Sequence, residues 1–76
     1  MMSKHSNEAL AYISRGNAYY KKGEYDKAIA DYSEMIRLSP DFAAAYNKRG
    51  LAYEEIGEKA KSDADFAKAK QLGYEP

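Results

Sequence analysis

The sequence predicts an all-α fold of two stacked helix–turn–helix units, and three observations support this prediction. The chain has 76 residues, and its second half repeats the pattern of its first. The repeat period is thirty-four residues, the separation of Arg15 and Arg49. A period of this size is typical of stacked helical hairpins. Gly23 and Gly57 interrupt the two halves at equivalent positions, where glycine permits a tight reversal. Between these glycines, apolar residues recur at helical offsets of three and four.

The repeat appears when the first half of the chain is shifted by this interval onto the second. Arg15-Gly16 then falls on Arg49-Gly50. The other identical pairs include Ala9 and Ala43, Tyr12 and Tyr46, Tyr19 and Tyr53, Lys27 and Lys61, and Leu38 and Leu72. Because stacked repeats usually act through extended surfaces, this pattern favours binding over catalysis.

The first two predicted helices form one hairpin. Residues 7 to 22 carry apolar side chains on more than one side, which suggests a helix with neighbours on two faces. Gly23-Glu24 ends this helix. Residues 25 to 38 form the second helix and have the clearest amphipathic stripe in the chain. The members of this stripe are Tyr25, Ala28, Ile29, Tyr32, Met35 and Ile36.

The last two predicted helices form an equivalent hairpin. Ser39-Pro40 ends the second helix, because proline disfavours helical geometry in the residue before it. Asp41 is the expected N-cap of a third helix that runs to about Ile56. Gly57 ends that helix, and a fourth continues to about Leu72. Such short turns make consecutive helices antiparallel neighbours.

Composition narrows the classes of function. The chain has 12 basic and 12 acidic residues and a net charge of zero, so it has no electrostatic signature of a partner such as nucleic acid or an anionic membrane. It contains no cysteine, and no apolar run approaches the roughly 20 residues of a membrane span. We expect a flexible tail at residues 1–6, one domain at residues 7–76, and a cytoplasmic location.

The repeated residues resemble the signature of the tetratricopeptide repeat family, with copies at residues 9–42 and 43–76. This signature places aromatic and small residues at fixed offsets. Its positions are Tyr12, Gly16, Tyr19, Ala28, Tyr32 and Pro40 in the first copy, and Tyr46, Gly50, Tyr53, Ser62 and Phe66 in the second. Met35 replaces a usual small residue, and Tyr74 stands where proline is expected. The resemblance implies a short right-handed α-solenoid.

The same resemblance implies a concave groove, lined by the first helix of each repeat, that holds a peptide or helix of a partner protein. The implied groove residues are Leu10, Ile13, Asn17, Tyr20, Asn47, Lys48, Leu51 and Glu54. Some family members clamp a chaperone's terminal carboxylate, but Ile13 and Lys48 replace a lysine and an asparagine of that clamp. We therefore expect a non-catalytic module that binds an unidentified protein or peptide, with no cofactor and no metal.

Two arginines occupy a position that is often leucine in the resembled family. Arg15 is followed sixteen residues later by Asp31, and Arg49 by Asp65. This spacing predicts two equivalent ion pairs that join the helices within each repeat. The alternative is four separate solvated charges, because many surface pairs contribute nothing measurable.

Differences between the copies suggest where the array ends. Ile29 and Ile36 of the second helix correspond to Asp63 and Lys70 of the fourth, and Ile56 corresponds to a lysine in the first helix. Terminal repeats need polar outer faces, so both ends are predicted to be capped, which favours a complete chain. Arrays generally need three or more units, so the alternative is a self-assembling module, either a homodimer or a domain-swapped oligomer.

Overall fold

The computed structural model describes residues 7–74, which form four helices. These are α1 (Asn7–Lys21), α2 (Tyr25–Leu38), α3 (Ala43–Glu55) and α4 (Lys59–Gln71). Helices α1 and α2 form one hairpin, α3 and α4 form the second, and α2 packs against α3 to join them. The predicted all-α class is confirmed, and the predicted helices match the observed ones closely. The predicted tail at residues 1–6 lies outside the described residues.

Each hairpin turns at a glycine in the left-handed region. Gly23 has φ 81°, and the N–H of Glu24 donates to the Tyr19 carbonyl at 2.9 Å while the N–H of Gly23 donates to Tyr20 at 3.0 Å. This pair of bonds is the Schellman motif, which satisfies the last carbonyls of a helix. The same two bonds recur around Gly57, where φ is 79°.

The start of α3 differs from the prediction. Its N-cap is Phe42 and not Asp41. The N–H of Phe42 donates to the Ser39 carbonyl at 3.1 Å, and Phe42 in turn accepts from Ala45 at 3.1 Å. Phe42 also packs against the core. This apolar contact and the turn at residues 39–42 delay the helix by one residue, so the Asp41 prediction is wrong.

The core lies mainly in the first hairpin and at its junction with α3. Its buried members are Ala9, Ile13, Ala28, Tyr32, Met35 and Ala45. The partly buried residues packed on them are Tyr12, Tyr19, Tyr20, Ile36, Leu38 and Phe42. No member of this cluster belongs to α4; the buried Ala69 of that helix lies outside it, as do the buried Tyr46 and Ala52 of α3.

Two glycines allow the helices of each hairpin to approach closely. A Cβ atom added at Gly16 would lie 2.7 Å from Cε1 of Tyr32, and one added at Gly50 would lie 2.7 Å from Cε1 of Phe66. Real Cβ atoms do not come so near an aromatic ring, so these two positions accept only hydrogen without a shift of the ring.

Both predicted Arg–Asp pairs are present. Nε and Nη2 of Arg15 donate to the two carboxylate oxygens of Asp31 at 2.8 Å, and Arg49 binds Asp65 in the same way at 2.8 Å. The alternative of separate solvated charges is therefore wrong. The hydrogen bond to Asp65 raises the pKa of the Arg49 guanidinium. Nη1 of Arg49 also donates to Oγ of Ser33 at 3.1 Å, which links the two hairpins.

Differences between the two copies coincide with differences in burial. Ile29 and Ile36 are partly buried in α2, and their counterparts in α4, Asp63 and Lys70, are exposed. Ile56 borders a cleft with the turn at residues 23–27, so it faces the first repeat. The three isoleucines, Ile29, Ile36 and Ile56, therefore lie at the junction between the two hairpins.

Candidate functional site

A cavity of about 300 Å³ lies between α1 and α3, with α2 behind it. The residues that line it are Asn17, Tyr20, Lys21, Tyr32, Lys48 and Leu51. The three residues from α1 are spaced at i, i+3 and i+4, and the two from α3 at i and i+3. This spacing places each set on one face of its helix, so the cavity is a product of the stacking of the two repeats.

Asn17 and Tyr32 are joined by a hydrogen bond at the cavity wall. The hydroxyl of Tyr32 donates to Oδ1 of Asn17 at 2.7 Å. Tyr32 is only 2% exposed, and burial raises the pKa of its hydroxyl to about 12, so the group stays protonated at neutral pH. Within residues 7–74, nothing accepts a hydrogen bond from Nδ2 of Asn17. The amide is thus oriented, with its donor side available.

Tyr20 and Leu51 supply apolar surface. The Tyr20 ring packs edge-on against Tyr25 with ring centroids 5.3 Å apart and an angle of 70° between the planes, an arrangement that favours the interaction of two rings. Leu51 is 38% exposed, an unusual exposure for a large apolar residue at the edge of a cavity. These two side chains can receive an apolar group from a ligand.

Charged groups of both signs surround the apolar part. Lys21 and Lys48 line the cavity, and neither forms an ion pair with a residue in the described range. Burial raises the pKa of Tyr20, with smaller contributions from the nearby charges of Glu55 and Glu54. The cavity therefore combines a fixed amide, apolar walls and two lysines, and has acidic groups on the Tyr20 side.

Comparison with known families decides the class of protein. A family model described as "TPR repeat" matches residues 16–57, more than half of the chain, and one described as "Tetratricopeptide repeat" matches residues 43–72. The chain belongs to the tetratricopeptide repeat family. Repeats of this family generally mediate protein–protein interactions. No curated protein matches the chain.

Four of the eight tetratricopeptide groove residues expected from the sequence come together at this cavity. Asn17, Tyr20, Lys48 and Leu51 all line it. The structure thus collects the central part of the predicted groove in one place. Their role in binding stays a prediction.

The other four expected groove residues lie elsewhere. Leu10 is exposed near the start of α1, and Ile13 is buried in the core. Nδ2 of Asn47 donates to the hydroxyl of Tyr74 at 3.4 Å, which directs it toward the end of α4. Glu54 borders a different cleft near Gly57. None of these four residues lines the cavity.

Two lining residues were absent from the sequence-based set. Lys21 follows Asn17 by four residues, so it lies on the same face of α1 as Asn17, although the family resemblance did not include it. Tyr32 belongs to the repeat signature and was assigned to the core. Its hydroxyl reaches the cavity because Gly16 lets its ring pass close to α1, a consequence of packing that sequence spacing does not reveal.

The described residues give no sign of metal chemistry or of a membrane span. Residues 7–74 contain no group of three or more His, Cys, Asp or Glu side chains placed to hold a metal ion. Among the four helices described, none has both the length and the apolar character to cross a bilayer. The sole histidine, His5, which the sequence placed in the tail, lies outside the described residues.

Proposed function

We propose that this tetratricopeptide repeat chain is a non-catalytic module that binds a short peptide or helix of another protein in the cavity between α1 and α3. The observation that carries this proposal is the hydrogen bond from Tyr32 to Asn17. It fixes an amide donor beside exposed apolar surface, and this pairing of groups suits a peptide main chain with one large side chain.

In this proposal Nδ2 of Asn17 donates to a backbone carbonyl of the ligand. Leu51 and Tyr20 hold an apolar side chain of the same ligand. A cavity of about 300 Å³ has room for only one or two such groups. We therefore expect dissociation constants on the order of micromolar, as in small transient interfaces.

The test is selection of peptides from a displayed random library on the intact 76-residue chain, followed by calorimetric measurement of their dissociation constants. Leu51→Ala is expected to weaken the selected peptides about tenfold, since a central apolar contact commonly contributes more than about 1 kcal/mol. Asn17→Ala is expected to weaken them about fivefold through loss of one hydrogen bond.

Ile56→Ala is the matched control, because Ile56 is 41% exposed, close to the exposure of Leu51, and lies outside the cavity. It is expected to leave the dissociation constants within about twofold. Selected peptides that lose affinity with Ile56→Ala and keep it with Leu51→Ala contradict the proposal, as does failure to select any peptide.

A further inference from the structure

The first helix carries a face that its counterpart in the second repeat buries. Ala45 and Ala52 of α3 are fully buried, but the equivalent Ala11 and Ala18 of α1 are exposed. Each of the two helices has the same neighbour within its own hairpin. The difference in burial therefore comes from α2, which packs on α3. No helix within residues 7–74 packs on the equivalent face of α1.

Arg15 and Arg49 show the same difference. The Arg49 side chain is 21% exposed and the Arg15 side chain 61%, although each forms the same bidentate pair with an aspartate. Arg49 is covered because α2 lies against it and Ser33 accepts its Nη1 hydrogen. We call the surface formed by Glu8, Ala11, Arg15, Ala18 and Lys22 the open α1 face.

Helix α4 has a corresponding uncovered face on the other side of the molecule. Asp63, Ala67 and Lys70 are exposed, whereas their equivalents in α2, Ile29, Ser33 and Ile36, are partly buried beside α3. We call these three residues of α4 the open α4 face.

We propose that the open α4 face of one molecule binds the open α1 face of a second copy, in the geometry that α2 and α3 adopt within one molecule. The internal junction serves as the template, because α4 is the repeat equivalent of α2 and α1 is the repeat equivalent of α3. The alanines of the open α1 face allow the same close approach that Ala45 and Ala52 allow to α2,.

The charges of the two open faces are complementary at one end of this template. At the internal junction Ile36, near the end of α2, and Phe42, at the start of α3, each pack against the core cluster. Their equivalents are Lys70 on α4 and Glu8 on α1. An apolar contact within the molecule is thus replaced by a pair of opposite charges between molecules.

The other end of the template shows the same replacement. Ile56 lies across from the beginning of α2, and Ile29, about one turn further along that helix, is partly buried. Their equivalents are Lys22 on α1 and Asp63 on α4. Lys59, which contacts Asp63 at 3.4 Å, would share this carboxylate with Lys22. Charges that served only solubility could have either sign. Here each charge of the open α4 face would meet the opposite charge on the open α1 face, Lys70 with Glu8 and Asp63 with Lys22.

Such a contact joins two different surfaces, the open α4 face and the open α1 face. A stack of any length therefore keeps an open α1 face at one end and an open α4 face at the other. Association is therefore head-to-tail and open-ended. Ala67 lacks the hydroxyl by which Ser33 binds Arg49, and exposed ion pairs are weak. We expect dissociation constants between about 10 µM and 1 mM, in the range of small transient contacts.

Sedimentation velocity of the full chain across this concentration range tests the proposal. The weight-average mass of the wild type is expected to rise with concentration. Ala18→Arg obstructs the open α1 face and Ala67→Arg the open α4 face, so each variant alone is expected to sediment as a monomer. In a mixture of the two variants, the intact α4 face of Ala18→Arg can bind the intact α1 face of Ala67→Arg. The mixture is therefore expected to form a one-to-one heterodimer and nothing larger.

Ala64→Arg is the matched control, because Ala64 is exposed on α4 and its equivalent Ala30 stays exposed when α3 is packed beside α2. It is expected to associate like the wild type. A wild type that stays monomeric at about 1 mM overturns the proposal. So does a mixture of Ala18→Arg and Ala67→Arg that contains no heterodimer, or an Ala67→Arg variant that still self-associates, since the latter indicates a symmetric contact.

Exchange of charges provides a second test that does not depend on steric obstruction. Lys22→Glu or Asp63→Lys alone is expected to weaken association at least about threefold, because like charges then face each other. The double variant restores opposite charges and is expected to recover the wild-type constant within about twofold. A double variant weaker than either single variant contradicts the proposed register.

Discussion

Arg49 and Asp65 lie sixteen residues apart on antiparallel helices and form a two-point ion pair, with both nitrogen–oxygen distances at 2.8 Å. Asp65 is buried, and Arg49 is its ion-pair partner. Nη1 of Arg49 also donates to Ser33 at 3.1 Å. One side chain therefore ties together α2, α3 and α4, the three helices around the junction of the repeats.

Replacement of Arg49 by leucine is expected to lower the free energy of unfolding by about 2–3 kcal/mol, because the buried carboxylate of Asp65 loses its partner. The double variant with Asp65→Leu removes both charges and is expected to lose less than the single variant. Urea denaturation followed by circular dichroism measures both values. A double variant that loses as much as Arg49→Leu alone, or more, contradicts this explanation.

The two close-approach glycines are expected to differ in their tolerance of alanine. Tyr32, which faces Gly16, is buried and hydrogen-bonded to Asn17, whereas Phe66, which faces Gly50, is partly exposed and has no hydroxyl. Gly16→Ala is expected to cost about 2 kcal/mol through overpacking.

Gly50→Ala is expected to cost less than Gly16→Ala, because the partly exposed Phe66 ring has room to shift, while the gain of about 1 kcal/mol in helix propensity is common to both variants. The two variants are compared by urea denaturation under identical conditions. If Gly50→Ala lowers the free energy of unfolding as much as Gly16→Ala does, or more, then burial and the hydrogen bond to Asn17 do not hold the Tyr32 ring in place.

Tyr32 is expected to make stability depend on alkaline pH. Burial raises the pKa of its hydroxyl to about 12, while the unfolded chain ionises near about 10. The unfolded state therefore loses its proton first, and stability that is fully present below about pH 10 is lost as the pH rises toward about 12. The expected loss from this group is about 2 kcal/mol.

Comparison with Tyr32→Phe isolates this contribution from the lysines that titrate in the same range. At pH 8 the phenylalanine variant lacks the hydrogen bond to Asn17 and is expected to be about 1 kcal/mol less stable than the wild type. Urea denaturation from pH 8 to 11.5 is expected to show this difference shrink and then reverse, so that the phenylalanine variant becomes the more stable one. A difference that stays constant over the range is inconsistent with a raised pKa.

The Tyr46 hydroxyl is expected to stabilise the loop between the repeats. It donates to the Pro40 carbonyl at 2.9 Å, and Tyr46 is itself buried. Tyr46→Phe is expected to lower the free energy of unfolding by about 1 kcal/mol. Tyr53→Phe is the control, because the Tyr53 hydroxyl makes no hydrogen bond within residues 7–74. Equal effects of the two variants contradict a role for the loop contact.

The sequence was sufficient to predict the helices and the ion pairs, because both depend on spacing. The repeat period and the glycines at positions 23 and 57 determine where the helices lie, and the Arg15–Asp31 spacing recurs in the second copy. The start of α3 was predicted incorrectly, because the cap depends on where Phe42 packs, and local propensity favours Asp41.

The cavity collects only part of the groove that the family resemblance implies, and the binding role of these residues stays a prediction. Asn17 and Leu51 line the cavity. Ile13 lies in the core, since a residue on the groove side of a helix is drawn into the core when the neighbouring helix lies close. The separation of α1 and α2 is set by their packing in three dimensions, and a single sequence does not reveal it.

The uneven placement of the core has a consequence for motion. Helices α1 and α2 hold most of the buried cluster, and α4 contributes nothing to it. Local opening requires less energy where fewer apolar contacts are broken. We therefore expect the amide protons of α4 to exchange with solvent through partial opening of the second hairpin, and those of α1 and α2 to exchange more slowly. The chain would then have one hairpin that persists while the other opens.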